Sequence, residues 1–293
     1  MIPPVPSPHL VPFDRPFRLA DAPTAPPKSG LTGKKAKKEL EDVREELADL
    51  QRVLWADRDN ALLVLFQARD AAGKDSTIRN VFRGVNPAGV RVTSYGVPTE
   101  REREHDFLWR HVLDLPRRGT IAVHNRSWYE EALVVRVHPG ILAGQRQRLP
   151  EDADAFWAQR LRSMADLEDH LARNGTTVLK FFLHVGHEEQ ARRLLDRLER
   201  QDKHWKYNPG DLDERALWAE YDHAYEDALS KTSTASAPWY AIPADDKPYM
   251  RLTVAQIIVD AMKAMKLSWP DADPDDAEAF DAHKAHLREE LGG

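Results

Sequence analysis

The chain has 293 residues, 42% of them hydrophobic and 31% charged, with a formal net charge of −6. This is enough chain for a full buried core. The negative balance excludes a general attraction to nucleic acid or acidic membranes, so any anion site must be a local concentration of positive charge. Zero cysteines exclude disulfides, thiol catalysis and thiolate metal sites. No run approaches the roughly 18 apolar residues of a membrane helix. The expectation is a cytoplasmic protein with neither a nucleic-acid nor a membrane partner.

Residues 1–33 form a proline-rich N-terminal arm, nine of the chain's 20 prolines falling in residues 1–30. The stretch "MIPPVPSPHLVPFDRPF" has neither the basic start nor the apolar run of a signal peptide. It reads as an extended arm or a disordered leader. A catalytic domain is expected over 34–270. It opens with an amphipathic helix, 34–56, whose Leu40, Val43, Leu47, Leu50 and Leu54 recur on one stripe. That stripe packs either on its own domain or against another subunit.

"ALLVLFQA" (61–68) reads as a buried parallel strand, and "DSTIRNVFRGV" after it as a helix. Between them lies "ARDAAGKDS", a near miss to the G-x-x-x-x-G-K-[ST] phosphate loop. Ala68 stands at the first glycine and Asp75 at the hydroxyl, with Ser76 one step late. The physical context of an anion cradle is nonetheless complete, because amides at a helix N-terminus carry partial positive charge. Gly73 admits close backbone approach, Lys74 supplies a point charge, and Ala72, Asp75 and Ser76 complete the candidate phosphate-binding loop. Asp70 is unfavourable beside phosphate unless a cation such as Mg²⁺ lies between them.

"GVRVTSYGV" (89–97) reads as a second strand, 100–115 as a helix, and "GTIAVHNRSWY" (119–129) as a third strand entering a polar turn. The strand ends in Asn125; beyond it Arg126 is a candidate for stabilising a transferring phosphate, and Glu130 or Glu131 for binding metal or orienting the acceptor. Trp128 and Tyr129 sit either beside a nucleobase or in the core. Residues 151–173 read as a helix and "TTVLKFFLHV" (176–185) as a fourth strand. The histidines of "HVGH" (184–187) lack a nearby third ligand and read as ordinary packing.

From 188 to about 230 two helices form a candidate lid. Arg193, Arg197 and Arg200 share a face there, with Lys203 and Lys206 beyond it. They form either a solvated salt-paired surface or a grip for a long polyanion. Residues 271–293 are an acidic tail read as a surface helix. Repeated strand–turn–helix units predict an α/β fold with a parallel sheet covered on both faces. Ligands in such sheets lie beyond the carboxyl ends of the strands.

"ARDAAGKDSTIR", "NRSWYEE", "KFFLHVGHEEQARRL", "DKHWKYNPGDLDER" and "TSTASAPWYAIPADDKPYMRL" together resemble the polyphosphate kinase 2 family over residues 34–266. The resemblance implies a P-loop-kinase-like three-layer α/β/α fold with a helical lid. It also implies reversible transfer of the terminal phosphoryl of inorganic polyphosphate to AMP and ADP, giving ADP and ATP, since the "NRS-x-Y-E" form is similar to the subgroup acting on both. Asp70, Lys74, Arg126 and Glu130 would be catalytic, with Asp70 and Glu130 holding Mg²⁺ or Mn²⁺. Ala72, Gly73, Lys74, Asp75, Ser76, Arg193, Lys203 and Lys206 would bind polyphosphate; Asn125, Arg126, Trp128, Tyr129 and Glu130 the adenine nucleotide. A homo-oligomer, dimer or tetramer, is expected. The chain departs from the commoner family pattern at Ala68, where glycine is usual, and at Asn125, where aspartate is. Two other readings stay open: an ATP-dependent nucleotide kinase, and a non-catalytic polyanion- or nucleotide-binding protein.

Overall fold

The computed structural model describes residues 2–145, 147–271 and 273–292. Its centre is a five-stranded parallel sheet in the order β2-β3-β1-β4-β5. The strands are β1 (Ala61–Gln67), β2 (Val90–Ser94), β3 (Ile121–Asn125), β4 (Thr176–His184) and β5 (Trp239–Pro243). β1 is central and buried at every position, which is why it reads as a continuous apolar run. Its side chains alternate between two cores. Leu62, Val64 and Phe66 pack with α1 (Gly33–Asp57), α2 (Lys74–Val81) and α7 (Lys247–Ala264). Leu63 and Leu65 pack with α3 (Ala153–Arg173) and α6 (Trp218–Thr232). The remaining α-helices longer than a turn among the described residues are α4 (His187–Glu199), α5 (Asp211–Ala216) and the outer α8 (Pro274–Glu290), with a 3-10 helix at Gln201–Lys206.

The α1 stripe is resolved in favour of its own domain. Leu40, Val43, Leu47 and Leu54 are buried, and the helix lies along α7. Leu47→Ala should cost about 2–5 kcal/mol of stability, read by urea denaturation, while the catalytic constants of the folded fraction stay unchanged.

Three expectations change. The helix read over 100–115 is two single turns, Glu100–Arg103 and Trp109–Val112. A capping box of Thr99 with Glu102 starts the first, and Asp106 Oδ1 caps the Leu108 N–H at 2.9 Å to start anew. A fifth strand, β5, adds to the four read from sequence; five residues that follow Pro238 and end in Pro243 look like loop until β4 pairs with them. The N-terminal arm is an extended arm packed on the sheet rather than a disordered leader. Val11 N–H donates to Trp239 O at 2.9 Å and Ala241 N–H to His9 O at 2.8 Å, so the arm covers the outer edge of β5. His9 Nε2 meets Tyr249 Oη at 2.7 Å, and Thr24 O accepts from Asp245 N–H at 2.9 Å.

Candidate active site

The site forms where β1 and β3 end side by side, Phe66 in register with Asn125. After β1 the chain turns through Ala71 (φ 60°) and Gly73 (φ 110°) before α2 begins at Lys74. At Gly73 the left-handed backbone makes glycine the permissive residue. Ser76 Oγ and Thr77 Oγ1 both donate to Gly73 O, at 2.9 and 3.0 Å, and tie the loop to the first turn of α2. Lys74 folds back over the loop, Nζ donating to Ala68 O at 2.7 Å, with 9% of the residue exposed. Burial and the neighbouring Arg126 lower its pKa to about 8, against the opposing pull of Asp70, Glu130 and Asp75.

Arg126 follows β3 in a left-handed conformation (φ 67°), its N–H on Phe66 O at 3.0 Å. A non-glycine residue held there stores of order 1–3 kcal/mol of strain. The turn aims its guanidinium between two carboxylates: Nη2 lies 3.3 Å from Asp70 Oδ1 and Nη1 3.3 Å from Glu130 Oε2. Gln67, oriented by Ser127, donates to Glu130 Oε1 at 2.8 Å. Both oxygens of Glu130 are therefore engaged, whereas Asp70 retains an oxygen free of Arg126 and is about a third exposed (35%). Asn125 Nδ2 donates to Asp75 Oδ1 at 2.6 Å, which sets a carboxylate of α2 beside the end of β3. Among the described residues no three His, Asp or Glu side chains converge on one point. That donor set fits a hard cation held by one or two carboxylates with phosphate and water completing its shell, and Asp70 is the better placed of the two expected ligands.

Two cavities meet at Asp70 and Arg126. One, of about 300 Å³, is lined by Lys74, Arg126, Arg193, Lys203, Lys206 and Lys247 among others. Burial lowers the Lys247 pKa, and crowding by Arg193, Arg251 and Lys203 adds to that, as an electropositive wall would produce. The other is narrower and walled by Trp218, Tyr221 and Tyr225 of α6, with Arg69 and Glu130. Arg69 stacks on Trp218, its guanidinium carbon 3.8 Å from the ring centre, and pairs with Asp222.

Several expected contacts take different roles. Trp128 and Tyr129 are fully buried, with indole N–H and phenol on Glu168 at 3.2 and 2.8 Å, so neither side chain meets a nucleobase. Arg193 has spent its donors: Nε on Glu189 at 2.8 Å, Nη1 on Ala71 O and Ala72 O at 3.2 and 2.7 Å, Nη2 on Ala244 O and Asp245 O at 2.5 and 3.2 Å. It fastens the phosphate loop instead of gripping a ligand. The Ala72 N–H is likewise turned inward, to Arg69 O at 3.3 Å. Arg197 pairs with Asp211 at 3.0 Å and Arg200 with Asp202 at 2.8 Å, while Lys203 pairs with Asp196. His184 is buried, as ordinary packing requires.

Residues the sequence reading left out are Arg69, Gln67, Gln190, Lys247 and the aromatic wall. Gln190 Nε2 holds Asp70 O at 3.0 Å from α4. The spacing of Trp218, Tyr221 and Tyr225, at i, i+3 and i+7, is a helical stripe legible in the sequence; Lys247 carries no such signal.

A 2-3-1-4-5 parallel sheet with a lysine loop after its central strand is the architecture of P-loop-kinase-like phosphotransferases. Residues 30–270 match the model of polyphosphate kinase 2, and the chain belongs to that family. It is 49% identical over 233 residues to an ADP-polyphosphate phosphotransferase of Rhodopseudomonas palustris, covering 78% of this chain and 80% of that one. It is 45% identical to the AMP/ADP-polyphosphate phosphotransferase of Meiothermus ruber, covering 81% and 85%. The crystal structure of polyphosphate kinase 2 from Arthrobacter aurescens superposes with a TM-score of 0.81 at 37% identity, over 91% of this chain and 93% of that one. No helix of the described residues is long and apolar enough to cross a membrane.

Proposed function

We propose that this enzyme moves the terminal phosphoryl group of inorganic polyphosphate onto AMP and onto ADP, working as a homo-oligomer in the cytoplasm. The observation that carries the reading is the meeting of a cationic cavity, which holds Lys74, and an aromatic pocket at Asp70 and Arg126. A polyanion needs distributed positive charge without shape, and a nucleoside needs a π surface. The donor therefore occupies the basic cavity and the acceptor the pocket of Trp218, Tyr221 and Tyr225. The paired names of relatives, ADP-polyphosphate and AMP/ADP-polyphosphate phosphotransferase, support both substrates.

Phosphoryl transfer asks little covalent chemistry of the protein; it needs in-line positioning and charge neutralisation. Lys74 and Arg126 stabilise the equatorial oxygens of the transferring group. Glu130, with Gln67, orients Arg126, and Arg193 with Gln190 fixes the loop that carries Asp70 and Lys74. Mg²⁺, or Mn²⁺ in its place, would be held by Asp70 and would neutralise the donor and acceptor phosphates as they approach. The segment from α4 to α6 serves as the lid, with Lys203 and Lys206 on its underside.

The test is incubation with Mg²⁺, long-chain polyphosphate and AMP, without added ATP. Formation of ADP and then ATP supports the whole reading. Conversion of ADP but not AMP restricts the acceptor. Turnover only when ATP is the donor overturns the reading in favour of an ordinary nucleotide kinase. Neutralising the lid with Lys203→Ala/Lys206→Ala should raise the KM for long polyphosphate about tenfold while kcat changes less than about twofold. It should also flatten the dependence of KM on salt, since fewer screened contacts remain.

A further inference from the structure

β4 carries a lysine in the middle of an apolar run, "VLKFFL", in register between Leu65 of β1 and Trp239 of β5. Lys180 is 0% exposed and its partner Glu168, on α3, is 1% exposed. Nζ donates to Glu168 Oε2 at 2.5 Å, to Tyr129 Oη at 3.0 Å and to Thr232 O at 2.7 Å, which uses all three ammonium protons. Glu168 Oε1 accepts from the Trp128 indole at 3.2 Å and from the Tyr129 phenol at 2.8 Å. Burial pushes the lysine toward its neutral form and the carboxyl likewise, each opposed by the partner's charge.

An ion pair placed this deep is a poor source of stability, because desolvation consumes most of the attraction; well-packed apolar residues commonly do as well or better. What the pair does here is local. The two residues it fastens, Trp128 and Tyr129, stand between Arg126 and Glu130, which both line the aromatic pocket and pair with each other. Its third anchor, Thr232, ends α6, whose other turns supply Trp218, Tyr221 and Tyr225. Thr232 Oγ1 accepts the Trp239 indole N–H at 2.9 Å, which ties that end of the helix to the sheet.

We propose that Glu168 and Lys180 are positioning residues for phosphoryl transfer, holding the turn Trp128–Glu131 and the end of α6 so that Arg126 and the acceptor pocket keep their register. The proposal rests on the substrate reading above. The site residues they serve are held through side-chain hydrogen bonds, so loosening them displaces Arg126 without emptying the basic cavity.

The experiment compares the double variant Glu168→Leu/Lys180→Met, the Gln variant Glu168→Gln/Lys180→Met and Tyr129→Phe with wild type in the polyphosphate assay. The double variant should fold, with kcat about 10- to 100-fold lower, the range that a displacement near 1 Å produces, and an unchanged KM for polyphosphate. The Gln variant keeps Oε1 as acceptor for both aromatic side chains, without the lysine ammonium that its amide N–H₂ would otherwise face, and should recover most of kcat. Val254→Ala, in the core on the other face of the sheet, is the control: a comparable loss of melting temperature with wild-type kcat. A double variant with wild-type kcat, a Gln variant no better than the double, or an equal kcat loss in the control overturns the proposal. Should the double variant fail to fold, Tyr129→Phe decides, since it removes only one hydroxyl; unchanged kcat there overturns the proposal, and reduced kcat at constant KM supports it. Wild type inactive on polyphosphate overturns the substrate reading instead, so the two failures are distinct.

Discussion

Asp70→Asn is expected to lower kcat by at least a hundredfold, the scale of losing one preorganised electrostatic group at a transition state, and to leave the fold intact. The side chain is 35% exposed and its ionic partner Arg126 38% exposed, so the pair contributes at most about 1 kcal/mol to stability. Melting temperature should barely move. Substrate binding gives the sharper contrast. A carboxylate beside Lys74 and Arg126 repels a bare polyanion, so in the absence of divalent metal the asparagine variant should bind polyphosphate as well as wild type or better. With metal present the order should reverse, because the aspartate then contributes a ligand that asparagine replaces poorly. Isothermal titration with and without Mg²⁺, beside the turnover assay, measures both. Wild-type kcat in the variant would remove Asp70 from the chemistry. Tighter binding with no turnover by either protein would point to a polyanion-binding module.

The sequence carried most of the fold because a parallel sheet enforces its own pattern. β1 is apolar at every position but its last, β4 carries an apolar run broken only by Lys180, and the amphipathic periods of α1 and α3 are regular. β5 escaped because its five residues follow one proline and end in another, and only pairing with β4 and cover from the N-terminal arm make them a strand. The arm was half legible: its prolines predict an extended chain, but nothing local predicts that Val5 and Val11 are buried.

At the site, residues fixed by a motif's own backbone were legible, among them Asp70, Gly73, Lys74 and Arg126. Roles set by partners distant in sequence were not. Arg193 looks like one of a row of ligand-gripping arginines, yet its donors end on four backbone carbonyls 51 to 122 residues away. Trp128 and Tyr129 look like base-stacking residues until Glu168 and Lys180 are seen to claim their polar atoms. A side chain's hydrogen-bonding capacity is finite, so its role depends on which partner saturates it first, and sequence spacing does not contain that information.

Lys74 gives a pH signature whose sign separates chemistry from folding. Burial and Arg126 bring its pKa to about 8 in the free enzyme. If the charged ammonium is required, kcat/KM for polyphosphate should be level below pH ~7.5 and fall toward tenfold per unit above about 8.5. Bound polyphosphate places negative charge beside Nζ and raises that pKa, so the limb in kcat should lie at higher pH than the limb in kcat/KM. Stability runs the other way. The unfolded lysine holds its proton up to 10.5 while the folded one releases it near 8, so between these values the unfolded state binds more protons and this residue makes the protein more stable as pH rises. Activity lost at about pH 9 therefore cannot be charged to unfolding at this residue. Lys74→Met should reduce kcat by a hundredfold or more and abolish the limb. Lys74→Arg should not restore activity, because a planar fork does not reproduce an ammonium seated on Ala68 O at 2.7 Å in a slot only 9% exposed. Rates and melting temperatures between about pH 6.5 and 9.5 decide the matter: a flat kcat/KM across that range, or a limb that survives in Lys74→Met, assigns the charge to another group.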